Sequence, residues 1–118
     1  MLQQHGEALE ADLQRYYQVD LTDMYRGAIS VRRVSVLAAH LPRGSAVGDR
    51  LGGAAAITAE TEAGWLVEAA LYKIQHAKSG GKGKGPEMRE YPLGVAAQSE
   101  KQDYAVSRAE AFRRKHAK

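Results

Sequence analysis

One segment, residues 58–77, restricts the possible folds of this chain more than any other. It reads TAETEAGWLVEAALYKIQHA, and its apolar residues recur at intervals of three and four, which is the periodicity of an α-helix. They form one wide stripe: Ala63, Leu66, Val67, Ala70, Leu71 and Ile74. A second stripe beside it consists of Trp65, Ala69 and Tyr72. A helix that is apolar over so much of its circumference is either central in a bundle or holds a partner.

A helix is also predicted near the N-terminus, over residues 6–17. Its apolar side chains share one face: Leu9, Leu13, Tyr16 and Tyr17. Its acids are placed toward the helix start, where the macrodipole favours negative charge: Glu7, Glu10 and Asp12.

Residues suited to N-capping precede each of the later helices. They are Asp20 or Thr22, Ser30, Ser45, and Thr58 or Thr61. Gly27 can end the short helix in VDLTDMYRG. The run ISVRRVSVL also fits a strand, but the cap, the apolar spacing and Pro42 favour a helix.

The stretch AKSGGKGKGP, residues 77–86, raises the question of a phosphate-binding loop. A P-loop requires G-x-x-x-x-G-K-[ST] after a strand, whereas here a helix precedes and Pro86-Glu87 follow the last glycine. The composition instead predicts a solvated tether. Beyond it, Ser99 and Gln102 are placed as a capping box for a basic helix.

The sequence therefore predicts an all-α protein in three parts. A small helical bundle occupies residues 5–78, a flexible Gly/Lys-rich tether 79–98, and a basic C-terminal helix 99–118. The net charge of +3 comes from the end of the chain. Residues 1–78 hold eight basic and nine acidic side chains, and residues 79–118 hold nine and five. This tail could contact nucleic acid weakly and nonspecifically.

No catalytic, cofactor or metal site is predicted. The chain has no cysteine, its four histidines lie on different segments, and it has no G-x-S-x-G motif. Asp20 and Asp23 are better explained by capping and ion pairing than by catalysis. The N-terminus does not read as a signal peptide, and no apolar run approaches the roughly 20 residues that span a bilayer. We therefore expect a soluble protein without membrane contact.

The aromatic pair of the long helix has two interpretations. Trp65 and Tyr72 lie two turns apart on one face. They either pack in the core or, with Ala69, form a partner-binding surface, since Trp and Tyr are favoured interface anchors.

Residues 8–53 carry a pattern of short spaced motifs. An aromatic residue and V-D-L precede aromatic-Arg-Gly, then Ser-x-Arg-Arg, a helix, and Leu-Pro with Ser-Ala after it. The pattern consists of Tyr17, Val19, Asp20, Leu21, Tyr25, Arg26, Gly27, Ser30, Arg32, Arg33, Leu41, Pro42, Ser45 and Ala46. It resembles a family of small actinobacteriophage proteins, the tail assembly chaperones encoded just upstream of the tape measure gene. The Trp-containing helix and the Gly/Lys-rich segment fit that layout, whereas residues 87–118 carry no resemblance.

The resemblance implies a non-enzymatic function. Such chaperones bind the tape measure protein, keep its helices from aggregating, and help tail tube subunits polymerise around it. It implies the tape measure and tail tube proteins as partners, a location in the host cytoplasm, and absence from the mature virion. The pattern residues are then expected to be structural.

Two other functions stay open. The same helices could remain in the particle as a virion structural or head–tail connector component. Alternatively, the chain could be a small basic nucleic-acid-binding accessory protein. The sequence does not predict the oligomeric state.

Overall fold

The computed structural model describes residues 2–117, and it is all-α. The described residues form the helices α1 (Leu2–Asp12), α2 (Thr22–Tyr25), α3 (Val31–Ala39), α4 (Ala46–Leu51), α5 (Ala59–Lys78) and α6 (Val95–His116). A π-helical segment, Leu13–Tyr17, continues α1, and a 3₁₀ turn, Gly53–Ala56, follows α4. The described part of the chain has no β-strand; an isolated antiparallel bridge pairs Gly52 with Leu93.

The hydrophobic core lies in the first half of the chain. α1 packs mainly against α4, and α3 closes the core from the side of the π-helical segment. Leu9 and Leu13 lie one helical turn apart and face this core, as their spacing predicted. The buried members of the cluster are Ala8, Leu9, Leu13, Leu21, Val34 and Val47.

α1 begins at Leu2 and is kinked at His5, where φ and ψ are −130° and 15°. The helix predicted from residue 6 therefore starts directly after the kink, with Glu7 in the first turn that follows it. Asp12 instead lies at the C-terminal end of α1, only 1% exposed. Its carboxylate reaches a different N-terminus, that of α4, where Oδ1 accepts from the N–H of Ala46 at 2.9 Å and Oδ2 from that of Val47 at 2.7 Å.

The predicted N-caps are confirmed at three helices. Ser30, Ser45 and Thr58 each accept a hydrogen bond from the backbone N–H three residues later, at 3.1, 3.0 and 3.2 Å. At α2 the prediction of Asp20 or Thr22 as the cap was wrong: the N-cap is Leu21, and no side chain caps it. Asp20 Oδ1 instead accepts from the N–H and hydroxyl of Thr22 at 2.8 and 2.6 Å. Local side-chain signals therefore set the starts of α3, α4 and α5, and ISVRRVSVL contributes to a helix and not a strand.

The two longest helices, α5 and α6, contribute no buried residue. α5 is therefore not the central helix of a bundle, and the buried core ends at Ile57, well before residue 78. The radius of gyration is 21.2 Å, whereas a compact chain of this length has roughly 13–14 Å. The molecule is a small helical core from which two long helices project.

The connection between α5 and α6 is irregular, as predicted, but its end differs from the prediction. α6 begins at Val95, directly after Gly94, and Ser99 lies inside the helix. No side-chain hydrogen bond caps this N-terminus, so the predicted box of Ser99 and Gln102 does not form. The position of the helix start is set by close backbone packing of Gly94 against Leu51.

Candidate functional site

The chain reverses direction after α5 and runs back along it. Gly80, Gly81 and Gly83 have φ values of 102°, 64° and 82°, and the Gly81 N–H donates to the carbonyl of His76 at 3.0 Å. This is a helix C-terminal cap, which satisfies the last carbonyls. A phosphate-binding loop lies at the N-terminus of a helix, whereas these glycines follow the C-terminus of α5. They therefore allow the chain to reverse direction.

Residues 85–91, which we call the strap, lie antiparallel along one face of α5. Arg89 is the centre of this contact: its Nε and Nη2 donate to the two carboxylate oxygens of Glu68 at 2.6 and 3.0 Å. The Arg89 guanidinium carbon lies 6.0 Å from the centroid of the Trp65 ring. The Tyr91 ring lies 6.4 Å from the same ring, tilted by 41°. The strap thus covers Trp65 with one cation and one aromatic ring.

Glu62 joins the strap, α5 and the core. Its Oε1 accepts a hydrogen bond from the Tyr91 hydroxyl, and its Oε2 lies 2.8 Å from Arg43 Nη2. Arg43 Nε in turn donates to the carbonyls of Ala54 and Ile57 at 2.9 and 3.2 Å. Arg43 therefore fixes the direction in which α5 leaves the core.

These contacts shift the pKa values of the groups involved. The hydrogen bond from Tyr91, and then Arg43, lower the pKa of Glu62. The hydrogen bonds from Arg89 lower the pKa of Glu68. In return, Glu62 raises the pKa of the Tyr91 hydroxyl and Glu68 raises the pKa of Arg89. Arg89 and Tyr91 are exposed, and Glu62 and Glu68 are half-buried, so water and salt still screen these interactions.

The candidate residues Trp65, Ala69 and Tyr72 share the face of α5 that the strap lies on. Trp65 and Ala69 are half-buried, whereas Tyr72 is 50% exposed. None of the three belongs to the core cluster. A shallow groove of about 200 Å³ separates the helix from the strap; it is lined by Trp65, Glu68, Ala69, Tyr72, Glu87, Met88 and Arg89.

The sequence interpretation missed the polar residues of this site. Glu62, Glu68, Arg89 and Tyr91 were not singled out, because their contacts join residues more than twenty positions apart. Helical and strand periodicity reveal only contacts between residues close in sequence, so they do not predict these long-range pairs. The available signal was compositional: an arginine and a tyrosine stand close together in PEMREYP, after a segment long enough to turn back.

The other side of α5 is uncovered. The open stripe consists of Ala63, Leu66, Val67, Ala70, Leu71 and Ile74. Its four large side chains, Leu66, Val67, Leu71 and Ile74, are 54%, 61%, 62% and 53% exposed. With 3.6 residues per turn, this stripe faces away from the strap. Contiguous exposed apolar surface of this kind marks interaction sites.

Some of the pattern residues of 8–53 contact the core or a helix start, and others are exposed. The Tyr17 hydroxyl donates to the carbonyl of His40 at 3.0 Å, which joins the end of α1 to the end of α3. Leu21 is buried, Leu41 packs against the core, and Gly27 has a φ of 80°. Ser30 and Ser45 cap the starts of α3 and α4, and Asp20 accepts from the N–H of Thr22. The following are exposed: Tyr25, Arg26, Arg32, Arg33 and Pro42.

α6 joins the rest of the molecule at its first turn. The N–H of Gly53 donates to the carbonyl of Pro92 at 2.8 Å, just before the helix. Farther along, the helix is exposed, with Tyr104 and Phe112 at 66% and 64%. Its last turn is basic.

Within residues 2–117, no three histidine or acidic side chains converge as a metal site would require. No helix in this range is long and apolar enough to cross a bilayer. Comparison of the chain with protein-family models, with curated proteins and with solved structures found no match. A proposal for function therefore rests on the geometry of α5 and on the resemblance of residues 8–53.

Proposed function

We propose that this chain is a non-enzymatic binding protein, a phage tail assembly chaperone that holds helices of a tape measure protein and assists tail tube assembly. The observation that carries the proposal is the Trp65 face of α5, an aromatic surface outside the core that is covered by the strap. An amphipathic helix can lie in such a groove. The resemblance of residues 8–53 supplies the identity of the client.

The strap supports a reversible mode of binding. Its central ion pair is solvent-accessible, with the Arg89 and Glu68 side chains 58% and 32% exposed. Such pairs add little net stability because water and salt screen them. A client helix that buries more of Trp65 and Tyr72 than the strap does would displace it. The energy of removing the strap then lowers the affinity for the client, which suits a chaperone that leaves the finished tail.

The contacts of the strap also indicate which side chains the client helix presents to α5. Once the strap leaves, Glu68 loses its ion pair beside the apolar face, whereas Glu62 keeps its ion pair with Arg43. A client helix that replaces Arg89 presents Arg or Lys beside an apolar seam. On the same chain, the exposed Tyr104 and Phe112 of α6 offer a second contact. Two weak contacts with one client raise the overall affinity through effective concentration.

Capture of the tape measure protein by the immobilised full chain tests this function. Trp65→Ala/Tyr72→Ala should lose the client yet keep its helical circular dichroism, because neither side chain is in the core. Arg89→Ala should capture more client, because it loosens the strap. Tyr25→Ala is the matched control: it truncates an aromatic side chain that is 72% exposed and lies outside α5.

Each result has a definite meaning. Capture by the double variant at the wild-type level would contradict the assignment of this face. Failure of both wild type and Arg89→Ala to capture the tape measure protein would contradict the chaperone function.

The other two functions make different predictions. A virion structural or head–tail connector component would remain in purified particles. We expect mass spectrometry to find this chain in the host cytoplasm and not in mature virions. The basic last turn of α6 favours a nucleic-acid-binding accessory protein, since Arg113, Arg114 and Lys115 are exposed. Tight DNA binding that weakens steeply with salt and needs Arg32 and Arg33 would support that function.

A further inference from the structure

The open stripe of α5 has a charge at each end, and between them Lys73 lies at the edge of the stripe, about 20° around the helix from Leu66. Glu60 precedes the stripe and Lys78 follows it. They are eighteen positions apart, which is five turns of 3.6 residues, so both lie on the side of the helix that carries the stripe. With a rise of 1.5 Å per residue, about 27 Å separate them. The surface is therefore acidic at one end, apolar in the middle and basic at the other end.

A helix that covers this surface with matching charges must be basic at one end and acidic at the other. A second α5 meets that requirement if it runs in the opposite direction. Glu60 of each copy then lies opposite Lys78 of the other, and the two macrodipoles are antiparallel. A parallel arrangement would instead place Glu60 beside Glu60 and Lys78 beside Lys78.

The middle of the stripe also fits a second copy. Alanines recur every seven residues along it, at Ala63, Ala70 and Ala77. Small side chains at a helix crossing allow the axes to approach closely, toward the low end of the 8–10 Å range. A twofold axis near residue 69 places Ala70 at the centre and brings Val67 of one copy opposite Leu71 of the other. The large apolar side chains, more than half exposed in one chain, then cover each other.

We propose that the open stripe is a dimerisation surface, on which α5 of a second copy of this chain packs antiparallel. The surface is separate from the strap-covered Trp65 face, so the inference does not depend on the proposed chaperone function. If both hold, the dimer carries two Trp65 faces on its outside. One long client could then contact both, with the gain in affinity that bivalency gives.

Sedimentation equilibrium of the full chain over a wide concentration range tests the dimer. We expect a monomer–dimer equilibrium for wild type. Leu71→Asp should be monomeric, and its circular dichroism should match wild type because Leu71 is 62% exposed. Val36→Asp is the matched control: Val36 is 46% exposed on α3, and its replacement should leave the dimer intact.

Charge exchange tests the orientation. Glu60→Lys and Lys78→Glu should each weaken the dimer roughly tenfold, since each turns two attractive contacts into repulsive ones. The double variant Glu60→Lys/Lys78→Glu should recover the wild-type dissociation constant. An equimolar mixture of the two single variants should also recover it, because the heterodimer has opposite charges at both ends.

Three results would overturn the proposal. They are a wild-type chain that is monomeric up to its solubility limit, a dimer that survives Leu71→Asp, and single charge variants that the double variant and the mixture do not rescue. A failure here leaves the client-capture experiment unaffected, because that experiment varies Trp65, Tyr72 and Arg89 on the other face.

Discussion

The carboxylate of Asp12 accepts a hydrogen bond from the backbone N–H of Val47 at 2.7 Å, across 35 positions of sequence. Its other oxygen accepts from the N–H of Ala46 at 2.9 Å. A buried acid at the end of α1 thus satisfies two donors that the first turn of α4 leaves free. The favourable N-terminal end of the α4 dipole offsets part of the cost of burying the charge.

Asp12→Ala should destabilise the core by roughly 2–4 kcal/mol, because it leaves the buried N–H of Val47 and the part-buried N–H of Ala46 without their acceptor. Urea unfolding followed by circular dichroism measures the change. Glu10→Ala, an exposed position two residues earlier on the same helix, should change stability by less than about 0.5 kcal/mol. Equal stabilities for the two variants would show that the carboxylate does not hold α4.

Docking of the strap should depend on pH. The pKa values of Glu62 and Glu68 are lowered from 4.5 by hydrogen bonds, from Tyr91 and then Arg43 at Glu62 and from Arg89 at Glu68. Since the docked pKa values are the lower ones, the carboxylates stabilise docking fully above about pH 4.5. This stabilisation is lost as the pH falls through the lowered values. The strap should therefore be docked at neutral pH and released in acid.

Trp65 reports on this release because it is the single tryptophan of the chain. Its emission should shift to longer wavelength as the pH drops below about 4.5. Glu68→Gln should start from a longer wavelength at neutral pH and shift less in acid. Far-UV circular dichroism, recorded in parallel, separates strap release from unfolding. An emission maximum that stays constant from neutral pH to about pH 3 would contradict the pH dependence.

The two-pronged pair of Arg89 and Glu68 should hold the strap in one register. Arg89→Glu places two carboxylates together, so acrylamide should quench Trp65 more strongly than in wild type. Arg89→Glu/Glu68→Arg restores opposite charges and should return quenching toward the wild-type value. High salt should raise quenching in wild type and change the Arg89→Glu variant little. If the double variant is quenched as strongly as the single one, the strap is held by other contacts.

The helices were predictable from sequence wherever a local signal defines them. Ser30, Ser45 and Thr58 each bond to an N–H three residues away, so the sequence pattern contains the whole interaction. The spacing of Leu9 and Leu13 likewise identified the core face of α1. The all-α class follows from these signals together.

Long-range contacts were not predictable in the same way. The sequence predicted that Asp12 interacts with the dipole of its own helix. Its carboxylate instead accepts hydrogen bonds from the first turn of α4, which lies beside it only after folding. The breadth of apolar surface on α5 predicted a central helix or a partner. Among residues 2–117 no other helix covers the open stripe of α5, so its large side chains stay exposed. The strap was not predicted for a related reason. The glycines and lysines of residues 79–85 predict a solvated segment, whereas the contacts with α5 are made by Arg89 and Tyr91, which follow that segment.

The start of α6 should depend on the lack of a side chain at Gly52. Its φ and ψ are 77° and −171°, a region essentially restricted to glycine. A Cβ there would also lie 2.1 Å from the backbone nitrogen of Gly94. Gly52→Ala should therefore undock the first turn of α6 and leave the core formed by α1, α3 and α4 intact. Hydrogen exchange of residues 93–98 measures this undocking.

Gly53→Ala separates the steric clash of a Cβ with Gly94 from the conformational cost of a positive φ. Gly53 also has a positive φ, 68°, but a Cβ there meets nothing within 4 Å. This variant should carry only the backbone cost of roughly 1–2 kcal/mol, and its N–H can still donate to the carbonyl of Pro92. Exchange at residues 93–98 should thus rise far more in Gly52→Ala than in Gly53→Ala. Equal exchange in the two variants would mean that backbone strain, and not the close approach of Gly94, controls the docking of α6.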